Sequence, residues 1–185
     1  DSYPDLVIAG LDGSNTLVTA VYKNNGGTSF SAISGPYTGF AGGTAIWGDM
    51  DNDGNLDLVI AGAGSPDGYP PPPPSGTAIF ELYINLGNDQ FQQNIPGLEG
   101  PAMNAVALGD YDNDTDLDLF LAGAFDSPIS AVGSQALIYR NETSATNNPP
   151  SAPTGLTYDA SGSDLLLQWD ASTDDKTPEG GLNYN

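Results

Sequence analysis

Short apolar runs alternate along the chain with polar breaks rich in Gly, Asp and Asn. Three runs share one pattern. Leu6-Val7-Ile8-Ala9-Gly10 returns as Leu58-Val59-Ile60-Ala61-Gly62 and again as Leu119-Phe120-Leu121-Ala122-Gly123. β-Branched and aromatic residues dominate them, and each is bounded by turn residues. That composition and length predict strands. The runs lack clean alternation, as strands buried on both faces do. A second mark follows each run. Val21-Tyr22-Lys23-Asn24, Leu82-Tyr83-Ile84-Asn85 and Ile138-Tyr139-Arg140-Asn141 share the order apolar-Tyr-x-Asn. After the first two come a Gly-containing turn and a Phe, Phe30 and Phe91. One unit therefore reads strand, polar loop, strand, variable loop, strand, turn, short strand. Four antiparallel strands in about 50–60 residues is the size of a propeller blade. The units are predicted at about 1–38, 39–99 and 100–147. The third stops after Asn141 without a Phe-containing fourth strand.

The polar loop ahead of the second and third runs is acidic. Asp49, Asp51, Asp53 and Asp57 stand at loop positions 1, 3, 5 and 9, and Asp110, Asp112, Asp114 and Asp118 repeat them. Alternating carboxylates on a tight loop converge their oxygens on one point, which suits a hard cation with six to eight oxygen ligands, Ca²⁺ before Mg²⁺. Position 7, Asn55 or Asp116, is predicted to offer its backbone carbonyl. Gly54 at position 6 permits the sharp turn. Thr115 replaces it in the second loop, where positive φ costs a β-branched residue energy. An EF-hand would need a bidentate Glu at position 12 and a helix. Here position 12 is Ile60 or Leu121, inside a strand. A solvated Asp-rich turn is the plainer alternative, but so many carboxylates repel unless a cation neutralises them. The chain opens on Asp1-Ser2-Tyr3-Pro4-Asp5, in register with Asp53 to Asp57. It is expected to start inside a further loop copy, as a fragment of a longer protein, with Asp1 and Asp5 as that loop's remaining candidate ligands.

Charge narrows the partners. The formal net charge is −21, and the only basic residues are Lys23, Arg140 and Lys176. Nucleic acid and anionic membrane surfaces would repel such a chain. No apolar run has the length of a membrane span. Without Cys or His there are no thiol nucleophiles, disulfides, His-containing triads or ordinary Zn²⁺ sites. Apolar content of 38%, with 24 Gly and 15 Pro, fits many short strands joined by turns. An insertion from Gly64 to Gly76 carries Pro70 to Pro74 in a row, predicting a stiff polyproline II surface loop. From Pro149 the character changes. Pro153 to Tyr158 and Asp164 to Trp169 read as two strands, and Leu182-Asn183-Tyr184 opens a third after a turn-rich loop.

The acidic loops, with Leu-Val-Ile-Ala-Gly behind them, resemble FG-GAP/VCBS repeats, the calcium-loop blades of integrin-α-like β-propellers. The resemblance covers residues 1 to about 147. It implies a seven-bladed ring with Ca²⁺ loops between the first and second strands of a blade. The segment 148–185 resembles the start of a fibronectin type III domain, on its Pro-rich entry, Leu156 and Trp169. The expected fold is all-β: propeller blades followed by a truncated β-sandwich. The expected function is a non-catalytic, calcium-binding adhesion or recognition module on an extracellular or cell-surface protein. Its ligand would be a protein or glycan, and the remaining blades and domains of its own chain would be partners. A structural spacer or subunit of a surface assembly is the alternative, as is a propeller appended to a secreted carbohydrate-active enzyme. For catalysis here, Glu81, Glu99 and Asp126 are the carboxylates outside the loops, with no visible pairing. Asn141-Glu142-Thr143 and Asn113-Asp114-Thr115 match the glycosylation pattern, and both read as incidental.

Overall fold

A computed structural model describes residues 3–64, 78–94, 98, 102–127, 130–145, 148, 150–162 and 164–174. Every regular element among them is a strand. β1 (Leu6–Leu11), β2 (Leu17–Asn24) and β3 (Phe30–Ile33) form one antiparallel sheet. β4 (Ala41–Gly48), β5 (Asp57–Ala63), β6 (Ala78–Asn85) and β7 (Phe91–Asn94) form a second, in sequence order. β8 (Ala102–Gly109), β9 (Asp118–Ser127) and β10 (Ser130–Tyr139) form a third. β11 (Thr154–Asp159) and β12 (Leu166–Asp170) pair by themselves. The second sheet is the complete unit read from the sequence. The first sheet starts at the strand after the acidic loop, and the third has no fourth strand among the described residues. The run from residue 65 to 76 within the insertion, and Leu182-Asn183-Tyr184, lie outside the described residues.

The core follows from the two-residue period of β5, whose seven residues are all buried. Leu58 and Ile60 pack with Tyr83, Phe40, Val21 and Ile33, joining the second sheet to the first. Val59 and Ala61 point the other way, into Phe80, Val106, Leu119 and Leu121 of the second and third sheets. Successive side chains of a strand face opposite sides, so one strand serves two cores. Fully burying Leu58, Val59 and Ile60 contributes on the order of 2 kcal/mol each. This explains the unbroken apolar run. β1 carries the same run but is covered on one side only: Val7 packs inward, whereas Leu6 and Ile8 are exposed. On the far side of the third sheet, Phe120 and its register partner Ile138 are exposed as well.

Close approach of the second and third sheets needs Gly48. A Cβ there would lie 2.3 Å from Leu108 and 3.1 Å from Leu117. The first and second sheets are pinned through the connection between β3 and β4. The Thr38 amide donates to the Tyr83 hydroxyl (2.8 Å), and Thr38 Oγ1 donates to Glu81 (2.9 Å). The Tyr83 hydroxyl also contacts Glu81 directly and reaches the Pro36 carbonyl at 3.3 Å. Burial, then the Glu81 carboxylate, pushes the Tyr83 hydroxyl up to about 12, so it stays a donor. Glu81, a carboxylate outside the acidic loops, is therefore bound by Thr38 and Tyr83. It holds an inter-sheet connection, and the pairing was invisible because Thr38 lies 43 residues away. Trp47 packs against the first core and tilts on Phe91 (6.2 Å between ring centroids). Trp169 sits in β12 at 44% exposure.

Candidate metal centre

Both acidic loops connect the first two strands of their sheet, β4 to β5 and β8 to β9. Their backbones follow one path. Asn52 and Asn113, at position 4, have φ of 58° and 60°. Gly54 and Thr115, at position 6, have φ of 92° and 77°. Thr115 thus adopts the left-handed conformation that the sequence marked as costly, because the rest of the loop dictates it.

The first Asp organises each turn. Asp49 accepts from the amides of Asp53 (3.1 Å) and Gly54 (2.9 Å). Asp110 accepts from Asp114 and Thr115, each at 3.1 Å. The ninth position closes it. Asp57 is 0% exposed and accepts from the Met50 amide (2.8 Å) and the Asn85 amide (2.7 Å). Asp118, 2% exposed, accepts from Tyr111 (3.0 Å) and Asn141 (2.8 Å). Asp5 accepts from the Asn24 amide at 2.8 Å in the same manner. Asp1 lies outside the described residues.

These bonds explain the Tyr-x-Asn mark, to which sequence reasoning assigned no role. In each sheet the Asn amide is held by the closing Asp. Its side chain then donates to the carbonyl just ahead of that Asp: Pro4 (3.1 Å), Leu56 (3.0 Å) or Leu117 (3.2 Å). The signal in the sequence was the recurrence of the Asn itself, since its distance from the Asp varies between 19, 28 and 23 residues. Asn141 Nδ2 also reaches the Met50 carbonyl at 2.8 Å, so this sequon Asn is engaged in the fold.

Two groups of carboxylates result. Asp49, Asp51 and Asp57 each place one oxygen within 4.8 Å of the others, as do Asp110, Asp112 and Asp118. The fifth position stands outside both groups. Asp53 accepts from the Asn55 amide (2.8 Å) and side chain (2.9 Å). Asp114 accepts from the Asp116 amide (3.1 Å) and meets the Arg140 guanidinium (2.8 Å). At position 7, Asn55 is turned to Asp53, and the buried Asp116 side chain to Asn52.

The electrostatics of the first group are unpaid. Burial pushes the Asp57 carboxyl up to about 7, against the Asn85 and Met50 amides that pull it down, with Asp51 and Asp49 adding repulsion. Burial also raises Asp49 and Asp51 above the ordinary carboxylate range. Three hard oxygen donors with no nitrogen or sulfur among them fit a Ca²⁺-type ion. The remaining coordination of such an ion would come from carbonyls and water.

The loops also touch each other. Asn52 Nδ2 donates to Asp116 Oδ1 (2.8 Å) and to the Ala145 carbonyl (3.0 Å). Asn52 and Asp116 are 3% and 6% exposed. Neither was singled out from sequence as a cross-sheet link.

Residues 1–60 match the FG-GAP-like repeat family, a stretch that ends inside β5 and includes the whole first acidic loop. No curated protein and no solved structure matches the chain. The described residues define a β-rich, multi-sheet protein. They contain no helix long and apolar enough to cross a membrane.

Proposed function

We propose that the chain is a run of calcium-binding propeller blades, residues 1–147, leading into a fibronectin type III-like domain at 148–185. The observation that carries the reading is the recurrence of one three-carboxylate cluster in two sheets, built by the same hydrogen bonds each time. The FG-GAP-like match over residues 1–60 supports it. So do the three sheets stacked face to face, with apolar residues on both outer faces, where further blades would pack. Ca²⁺ would be held by Asp49, Asp51 and Asp57 and by Asp110, Asp112 and Asp118. The ion's chemistry there is charge neutralisation of buried carboxylates, and the loop residues orient the oxygens. Metal binding then becomes folding free energy. Sites of this kind fill where free Ca²⁺ is abundant, which favours an extracellular setting. The module is non-catalytic and serves adhesion or recognition, binding a protein or glycan on its other surfaces.

Thermal unfolding in millimolar Ca²⁺, in Mg²⁺ and after metal removal tests this. A rise in midpoint specific to Ca²⁺ is expected. Identical midpoints in all three would refute the metal reading and return the loop carboxylates to consideration as reactive groups.

A further inference from the structure

The two loops differ in one residue that lies outside both. Asn24, Asn85 and Asn141 occupy equivalent places, so the residues before them correspond: Lys23, Ile84 and Arg140. Beside the first complete loop stands Ile84. Beside the second stands Arg140, whose Nε lies 2.8 Å from Asp112 Oδ2 and whose guanidinium NH₂ lies 2.8 Å from Asp114 Oδ2. Asp112 belongs to the three-carboxylate group of that loop. Its carboxylate is therefore shared between the guanidinium and any ion the group would bind. Lys23 is spent elsewhere, on Asp89 in the turn between β6 and β7 (2.7 Å).

Counting charges shows what Arg140 does. The first loop has four Asp residues, 49, 51, 53 and 57; the second has five, 110, 112, 114, 116 and 118. Arg140 brings the second back to the net charge of the first. Arg140 is exposed, at 49%, and the two carboxylates it meets are half-buried, at 24% and 26%. Surface ion pairs are weak, so a divalent ion can displace the guanidinium.

We infer that Arg140 is a tethered counter-ion of the second loop, which holds that loop together without metal and competes with Ca²⁺ there. This rests on the calcium reading above for its second half only. Among the described residues the first loop has no such cation beside it, and it would depend on metal. The two loops would thus fill in order, the first at lower Ca²⁺ and the second at higher.

The test uses the whole chain and two variants, Arg140→Gln and Lys23→Gln. The second removes one positive charge away from both acidic loops. After metal removal, Arg140→Gln is expected to unfold at a lower temperature than Lys23→Gln. An NMR Ca²⁺ titration then follows the Gly54 and Thr115 amides, which donate to Asp49 and Asp110 and so report the loops separately. In the parent chain Gly54 saturates first. In Arg140→Gln the Thr115 midpoint falls on the order of tenfold, the repulsion between a guanidinium and a divalent ion about 6 Å apart in a water-like dielectric. A metal-free midpoint equal to that of Lys23→Gln, or a Thr115 midpoint that stays or rises, overturns the inference. If neither amide of the parent chain responds to Ca²⁺, the calcium reading and the competition both fall. The metal-free comparison then still decides whether Arg140 is the loop's cation.

Discussion

At the scale of single residues, the loops store strain and charge at identifiable atoms. Thr115 occupies φ 77° where the first loop has Gly54 at 92°. A left-handed β-branched residue costs energy that glycine does not. Thr115→Gly is expected to stabilise the protein by about 1 kcal/mol, after allowing for the extra freedom of the unfolded glycine. Thermal unfolding checks the sign; a fall would mean that the exposed Thr side chain holds the turn. Asp57 sets a pH dependence in the metal-free protein. Its folded carboxyl is raised to about 7 by burial. Below about pH 4 it is protonated in both folded and unfolded chains and costs nothing. As pH rises from there through 7, the unfolded carboxyl ionises freely while the buried one resists, so stability is lost across that window. Asp49 and Asp51 are shifted the same way and add to the slope. Midpoints after metal removal at pH 4.5 and 7.5 should therefore fall with pH. Excess Ca²⁺ should oppose that fall, since metal binds the ionised form. A metal-free midpoint that climbs over this range would contradict the burial argument.

Between elements, the bonds that matter cross from one sheet to the next. Asn52 is buried because the third sheet covers it, whereas Asn113, at the same loop position, is exposed. Removing the Asn52 side chain would leave the Asp116 carboxylate buried without that donor. Because Asn52 sits at φ 58°, glycine fits its backbone and isolates the side-chain effect. Asn52→Gly is expected to cost about 2 kcal/mol, in the range for orphaning a buried acceptor. Asn113→Gly, the matched control, should be close to neutral. Denaturant unfolding of the two variants separates the outcomes, and equal effects would show that the cross-sheet bond carries no weight. The Asp-to-Asn clasp was half legible beforehand. The recurring Asn was visible in all three units, but its partners lie 19 to 28 residues back and required the strand register to be known.

Over the whole molecule, stability is expected to be graded outward from the middle sheet. β5 is buried at each of its seven residues and feeds two cores. β11 and β12 are exposed at every residue. Hydrogen exchange should therefore be slowest for the amides of β5 and much faster in β11 and β12, because opening free energy tracks local burial. Similar protection in the two regions would show that burial in the stack does not set local stability. The outer faces, Leu6 and Ile8 on one side and Phe120 and Ile138 on the other, are apolar in the same way as the two faces already packed. That sameness is why the proposed architecture is a stack that continues.

What the sequence by itself determined was local. Strand positions follow from runs of β-branched residues, and the loop between two strands follows from Asp, Asn and Gly spacing, since both depend on neighbours a few residues apart. The tertiary structure decided which carboxylates meet. Positions 1, 3 and 9 converge, while position 5 turns aside to Asn55 or to Arg140 and the Asp116 amide. It also decided that Glu81 secures a connection, that Asn52 locks onto the next loop, and that Arg140 lies on the second acidic loop. Each of these joins residues tens of positions apart. Their encounter is set by how sheets pack against one another, which no short window of sequence contains.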